Sequence, residues 1–158
     1  MAMTISNVCF LGKLSCMGCC GRDYTSKKDI VEAIRKNTFE FEDSKSPEEF
    51  RDRIDSKYLR DCGVCRNLIF SDKSAKSVKC PLHPAFNKAK DGSDLREGHC
   101  EIEYLCKAAF LFDLWDERKQ IAFVKFIENK KLNWFNYSMG MNDDSFVDEF
   151  ERVFDYPE

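Results

Sequence analysis

The spacing Cys62-x2-Cys65-x14-Cys80-x2-His83 is the pattern with the clearest chemistry in this chain. Two residues between ligands let one tight backbone turn aim two side chains at a single ion. Two such turns can complete a tetrahedron around zinc. The stretch between the pairs is long enough for a hairpin that closes them on one another. His83, between Leu82 and Pro84, stands either as the fourth ligand or as an ordinary histidine; its interval from Cys80 favours ligation.

A second, more diffuse group is Cys16-x2-Cys19-Cys20 near the start and Cys100-x5-Cys106 downstream. Consecutive side chains diverge, so Cys19 and Cys20 suit two ions, a bridged pair or a cluster better than one tetrahedral ion. Iron–sulfur clusters also take four thiolates, so iron competes with zinc as the metal. Cys106 falls on an expected helix and reads equally as a ligand or as a small buried hydrophobe. Cys9, between Val8 and Phe10, reads as core. His99, beside Cys100, could be a ligand or support one, and a bystander role is favoured. A Cys–His nucleophile pair or a hydrolytic zinc with Glu97 or Glu101 as base explains less than ligation does, and no catalytic set stands out.

The motif Cys16-Met17-Gly18-Cys19-Cys20-Gly21, followed by Asp29-Ile30, resembles the opening of the zinc- or iron-chelating cysteine-cluster family. The later Cys80-Pro81-Leu82, Gly98-His99-Cys100-Glu101-Ile102 and Cys106 resemble that family's downstream elements. The likeness touches most of residues 16–106 and leaves the last third uncovered. The family usually carries one more cysteine close before the double cysteine, where this chain has Lys13 and Ser15, with Cys9 further upstream. The family's aromatic and Arg-Pro positions after the late cysteine are missing too. The resemblance implies metal chelation and no known reaction.

The elements that must carry these residues follow from pattern and capping. Gly12, Gly18 and Gly21 among the first cysteines predict a ligand-bearing loop. Thr25 or Ser26 caps a helix to about Asn37, and residues 38–45 are polar and linking. Ser46-Pro47-Glu48-Glu49 is a capping box opening a helix through about Arg60. Asn67–Phe70 and Val78–Cys80 around a Ser71–Ser74 turn predict a hairpin, and residues 84–99 are irregular. A central helix starts at Ile102. Asp116 caps another through Ile127, and a last helix starts at Asp144 or Ser145. Trp134, Phe135 and Tyr137 read as core or as a partner groove. The expected fold is mainly α with a small β-hairpin, a compact metal-stapled single domain over residues 1–158. Within it, 1–25 and 62–106 form a cysteine-rich metal-binding lobe and 107–158 a helical part.

Composition bounds the function. With 43% hydrophobic residues and 14 Phe, the chain has material for an aromatic core. The run from Val8 to Leu14 is short and broken by Lys13, which predicts no signal peptide; with an odd cysteine count, reduced thiols in a cytoplasmic protein are expected. No stretch suits a membrane span. Net charge is −3, yet residues 51–90 carry ten Lys/Arg against four Asp/Glu. Scattered basic residues of this kind are most simply solvated faces, and an anionic partner is the alternative. The leading expectation is a zinc-binding protein with structural sites. An iron–sulfur redox protein or oxidoreductase subunit, and a zinc-ribbon-like nucleic-acid-binding module, are the alternatives.

Overall fold

The computed structural model describes residues 7–11, 13–20, 26–60, 63–102 and 104–154, and of Cys20 only the backbone. The chain divides into two compact units, one formed by Met1–Cys19 with Tyr104–Glu158 and the other by Cys20–Glu103. The first cysteine segment therefore belongs with the C-terminal helices. The architecture is mainly α with two small antiparallel sheets. Among the described residues, no helix is long and apolar enough to cross a membrane.

In the unit of residues 20–103, α1 spans Lys27–Glu42 because Ser26 caps it, accepting from the Asp29 N–H, and Ile30 and Ile34 recur on its buried face. It runs past Asn37, through residues expected to link. Asn37 is buried and donates to the Cys65 and Leu68 carbonyls at 3.1 and 3.0 Å, while Thr38 accepts from the Phe70 N–H. These bonds hold α1 helical against the strand it supports. The capping box at Ser46 opens α2, Pro47–Asp52, which stops well short of Arg60. Arg53 ends it: its guanidinium covers the Phe50 ring, takes the Phe50 carbonyl at 2.9 Å, pairs with Glu40, and donates to the Arg66 carbonyl. Asp55 then caps a 3-10 turn at Ser56–Tyr58. The expected hairpin forms from β3, Ile69–Phe70, and β4, Val78–Lys79. Phe50, Ile69, Leu82 and Leu95 make the core, and Cys80 packs on it.

In the other unit, β1, Phe10–Leu11, pairs with β2, Leu14–Ser15, in a hairpin the glycine-loop reading missed. Helix α3 spans Lys107–Leu114. It starts later than Ile102, because the Cys106 sulfur is the group that caps it. Nor is it buried all round: Ala108, Ala109 and Phe112 face the core while Phe110 and Leu114 are exposed. Asp116 caps α4, Glu117–Asn129, as its sequence predicts. Helix α5, Trp134–Asn142, has no counterpart among the elements expected from the sequence; Asn133 caps it, and Trp134 and Tyr137 are core residues. Helix α6 is Ser145–Phe154. Trp115, Phe123 and Phe150 stack pairwise with centroids 5.1–5.5 Å apart, an arrangement that adds to area burial. The Tyr137 hydroxyl donates to the Val8 carbonyl and anchors the N-terminal segment to α5.

Candidate metal centres

Each unit gathers its own set of thiols. In the unit built from the two ends, the β1–β2 hairpin returns the chain so that the Cys16 N–H reaches the Cys9 carbonyl at 3.1 Å. The Gly18 N–H donates to the Cys16 sulfur at 3.3 Å, and Ser138 fixes the intervening Met17 N–H at 2.9 Å. Gly18 is closely packed there: a Cβ would come within 3.2 Å of the Asn142 side chain and 3.3 Å of the Ser138 carbonyl. Cys19 follows in a 3-10 turn at Gly18–Cys20, and its thiol hydrogen-bonds the sulfur of Cys106. That sulfur also accepts from the Ala109 N–H at 3.4 Å and from the Ala108 N–H at the start of α3.

The charges on these thiols are mutually felt. Burial pushes Cys16 up to about 11; the Gly18 N–H opposes it and the nearby Cys106 adds to it. Cys19 is raised as the donor to Cys106, with burial and the Cys106, Cys16 and Cys9 charges adding. Cys106 is held below the usual thiol range, first by the bond from Cys19 and then, against burial, by the α3 N–H groups. Tyr137 is raised by burial and then by Cys16, Cys9 and Cys106. The charge of Cys9 is thus felt by Cys19 and Tyr137, although its apolar neighbours mark it as core in the sequence.

In the other unit, Cys65 sits on the turn before β3, its carbonyl accepting from Leu68 N–H and Asn37. Cys80 follows β4, and the Leu82 N–H bonds its sulfur. Cys100 closes the turn from Arg96, whose carbonyl accepts its N–H at 3.1 Å. Burial raises Cys80 to about 12, with the Cys65 and Cys100 charges adding. Burial likewise lifts Cys100 to about 11; Arg96 pulls it back and Cys65 adds to it. Cys100 thus senses the hairpin cysteines, whereas the sequence grouped it with Cys16, Cys19, Cys20 and Cys106.

The remaining candidates fall elsewhere. Cys62 and the side chain of Cys20 lie outside the described residues. His83 is 8% exposed, and its Nδ1 accepts from the Ala85 N–H at 3.1 Å. Burial and then Arg96 hold it down to about 4, so it is neutral with its one lone pair engaged. His99 is lowered by burial and then Arg51, with Asp52 opposing. Its Nε2 is buried with no hydrogen-bond partner.

A soft all-sulfur donor set with N–H···S bonds suits zinc or an iron–sulfur centre. Among the described residues, however, no group of three or more His, Cys, Asp or Glu side chains is arranged so that it could hold a metal ion. No family model, no curated protein and no solved structure matches the chain.

Proposed function

We propose that this chain is a zinc-binding protein with a sulfur-rich structural centre in each unit. One is Cys9, Cys16, Cys19 and Cys106; the other is Cys65, Cys80 and Cys100, completed by Cys62 at its two-residue spacing. The observation that supports this reading is the convergence of thiols from separate chain segments within each unit, each set met by backbone N–H donors. A zinc ion with four thiolates carries a surplus of negative charge. N–H···S bonds offset it in one unit, and Arg96 and Arg60 near Cys100 offset it in the other. The thiols have to close to about 2.3 Å from the ion, each losing its proton as it does so. Cys20, whose side chain lies outside the described residues, is assigned to neither centre, and His83 is left out because its Nδ1 lone pair serves the Ala85 turn. Thiol ligation of this kind belongs to a reducing compartment, consistent with a cytoplasmic protein. The resemblance to the chelating cysteine-cluster family points to the same chemistry.

The test is metal content and visible absorption of protein purified without air. Colourless protein with about two zinc per chain is expected, falling by about one in Cys106→Ser and by about one in Cys80→Ser. Brown protein with iron and acid-labile sulfide would replace zinc with a cluster. A metal-free chain whose melting is unchanged by a strong chelator sinks the proposal.

A further inference from the structure

In the discontinuous unit, Cys19 and Cys106 come from opposite ends of the chain and meet sulfur to sulfur. The Cys19 thiol donates to the Cys106 sulfur. Each residue is set by its own backbone. Cys19 sits in the 3-10 turn at Gly18–Cys20, and Cys106 caps α3, its sulfur accepting from the Ala109 N–H at 3.4 Å. Both residues are half-buried, so each keeps part of its surface in solvent. Cys9 and Cys16 act on Cys19 through their charge, whereas Cys106 also takes its hydrogen bond. The Cys16 sulfur accepts instead from the Gly18 N–H at 3.3 Å.

Two sulfurs in contact can close in two ways. Each can move to about 2.3 Å from a shared ion, or the two can bond to one another at about 2.05 Å. The outcomes exclude one another, because a disulfide sulfur carries no charge and no longer serves as a metal ligand. We propose that Cys19 and Cys106 are a redox pair, which a small disulfide such as glutathione disulfide closes into a bond, and that closing it empties the first metal centre. The bond itself does not need the zinc reading; the loss of metal rests on it.

The chemistry is thiol–disulfide exchange. One thiolate of the pair attacks a sulfur of the oxidant, forming a mixed disulfide and releasing a first glutathione thiolate. The other protein sulfur then attacks the protein side of that mixed disulfide, and the second glutathione thiolate leaves. The two protein thiols have lost two electrons, and one glutathione disulfide has become two glutathiones. Protons given up by the protein thiols end on those two glutathiones through solvent. Where the pair starts on zinc, the ion leaves and solvent supplies both protons. The bond shortens a contact that already exists, so the unit keeps its helices as the metal departs.

The experiment takes the full chain, purified without air, through glutathione buffers of rising disulfide fraction. Free thiols are trapped in acid, the cross-links are mapped by mass spectrometry, and released zinc and circular dichroism are read on the same samples. A Cys19–Cys106 cross-link is expected as the first to appear, with loss of about one zinc per chain and unchanged helical signal. Reduction with dithiothreitol should reverse it. Cys106→Ser should abolish the cross-link, and Cys16→Ser should keep it. A first cross-link between other cysteines overturns the proposal, as does a pair still reduced in excess glutathione disulfide. A bridge that forms while all the zinc stays bound overturns the switch. Metal-free protein that still forms the bridge upholds the thiol pair and sinks the zinc reading together with the switch built on it.

Discussion

Asn37 shows how much one side chain can hold. Its amide bonds two carbonyls, those of Cys65 and Leu68, and so ties α1 to the turn that carries a candidate ligand. Asn37→Ala leaves both carbonyls buried without that donor. A loss of about 2–4 kcal/mol in denaturant unfolding is expected. His83 acts on stability through pH. Its folded value, about 4, lies below the ordinary 6.5 of an unfolded histidine. Its contribution is therefore complete above pH 6.5 and is lost as pH falls toward 4. Wild type should lose on the order of 1–3 kcal/mol more than His83→Gln between those pH values, measured by urea unfolding. Metal release in acid affects both proteins alike, so only the difference counts. Equal pH profiles would show that His83 is not held neutral. The sequence marked His83 by its interval from Cys80, but an interval carries no information on which lone pair a nearby N–H has taken.

Among the elements, the starts of α1 and α2 are more legible than their ends. Ser26, Ser46 and Asp116 cap where their local sequence says, because a cap needs only the next three residues. Ends depend on what arrives from elsewhere. Helix α1 continues to Glu42 because Thr38 and Asn37 are engaged by the hairpin, and α2 stops at Asp52 because Arg53 claims the Phe50 carbonyl. Helix α5 is not legible because its stripe is interrupted by Ser138, which bonds the Met17 N–H and the Trp134 carbonyl, and by Gly140, which makes room for Phe146. A Cβ on Gly140 would fall 2.1 Å from the Phe146 ring, so the α5–α6 approach depends on that glycine. Gly140→Ala should cost about 1–3 kcal/mol by thermal melting, despite alanine's better helix propensity. Gly140→Ala combined with Phe146→Leu should recover part of the loss. A stabilised single variant would show that the ring swings away freely.

For the whole molecule, the sequence reading recognised a cysteine-rich protein but could not sort the thiols, because the sorting is non-local. Cys19 with Cys106, and Cys80 with Cys100, are brought together by folding of separate segments, and no spacing rule encodes that. The two units also differ in continuity. One is an unbroken stretch, and the other is assembled from both ends of the chain. Within the latter, the Cys19–Cys106 hydrogen bond brings together the two points where the chain leaves and re-enters. A chain in which a short Gly-Ser linker replaces residues 20–103 should therefore still fold the discontinuous unit. Cooperative melting with helical circular dichroism is the expected readout, and a molten, non-cooperative profile would count against autonomy of that unit.

The same pairing sets a timetable on the ribosome. The first cysteines leave the exit tunnel long before Cys106 has been made. At roughly 5–20 residues per second, synthesis of the intervening chain takes several seconds. Throughout that interval Cys9, Cys16 and Cys19 have no sulfur partner from α3. A newborn chain is thus most open to mispairing or premature metal capture at these three cysteines, and that vulnerability ends when α3 emerges.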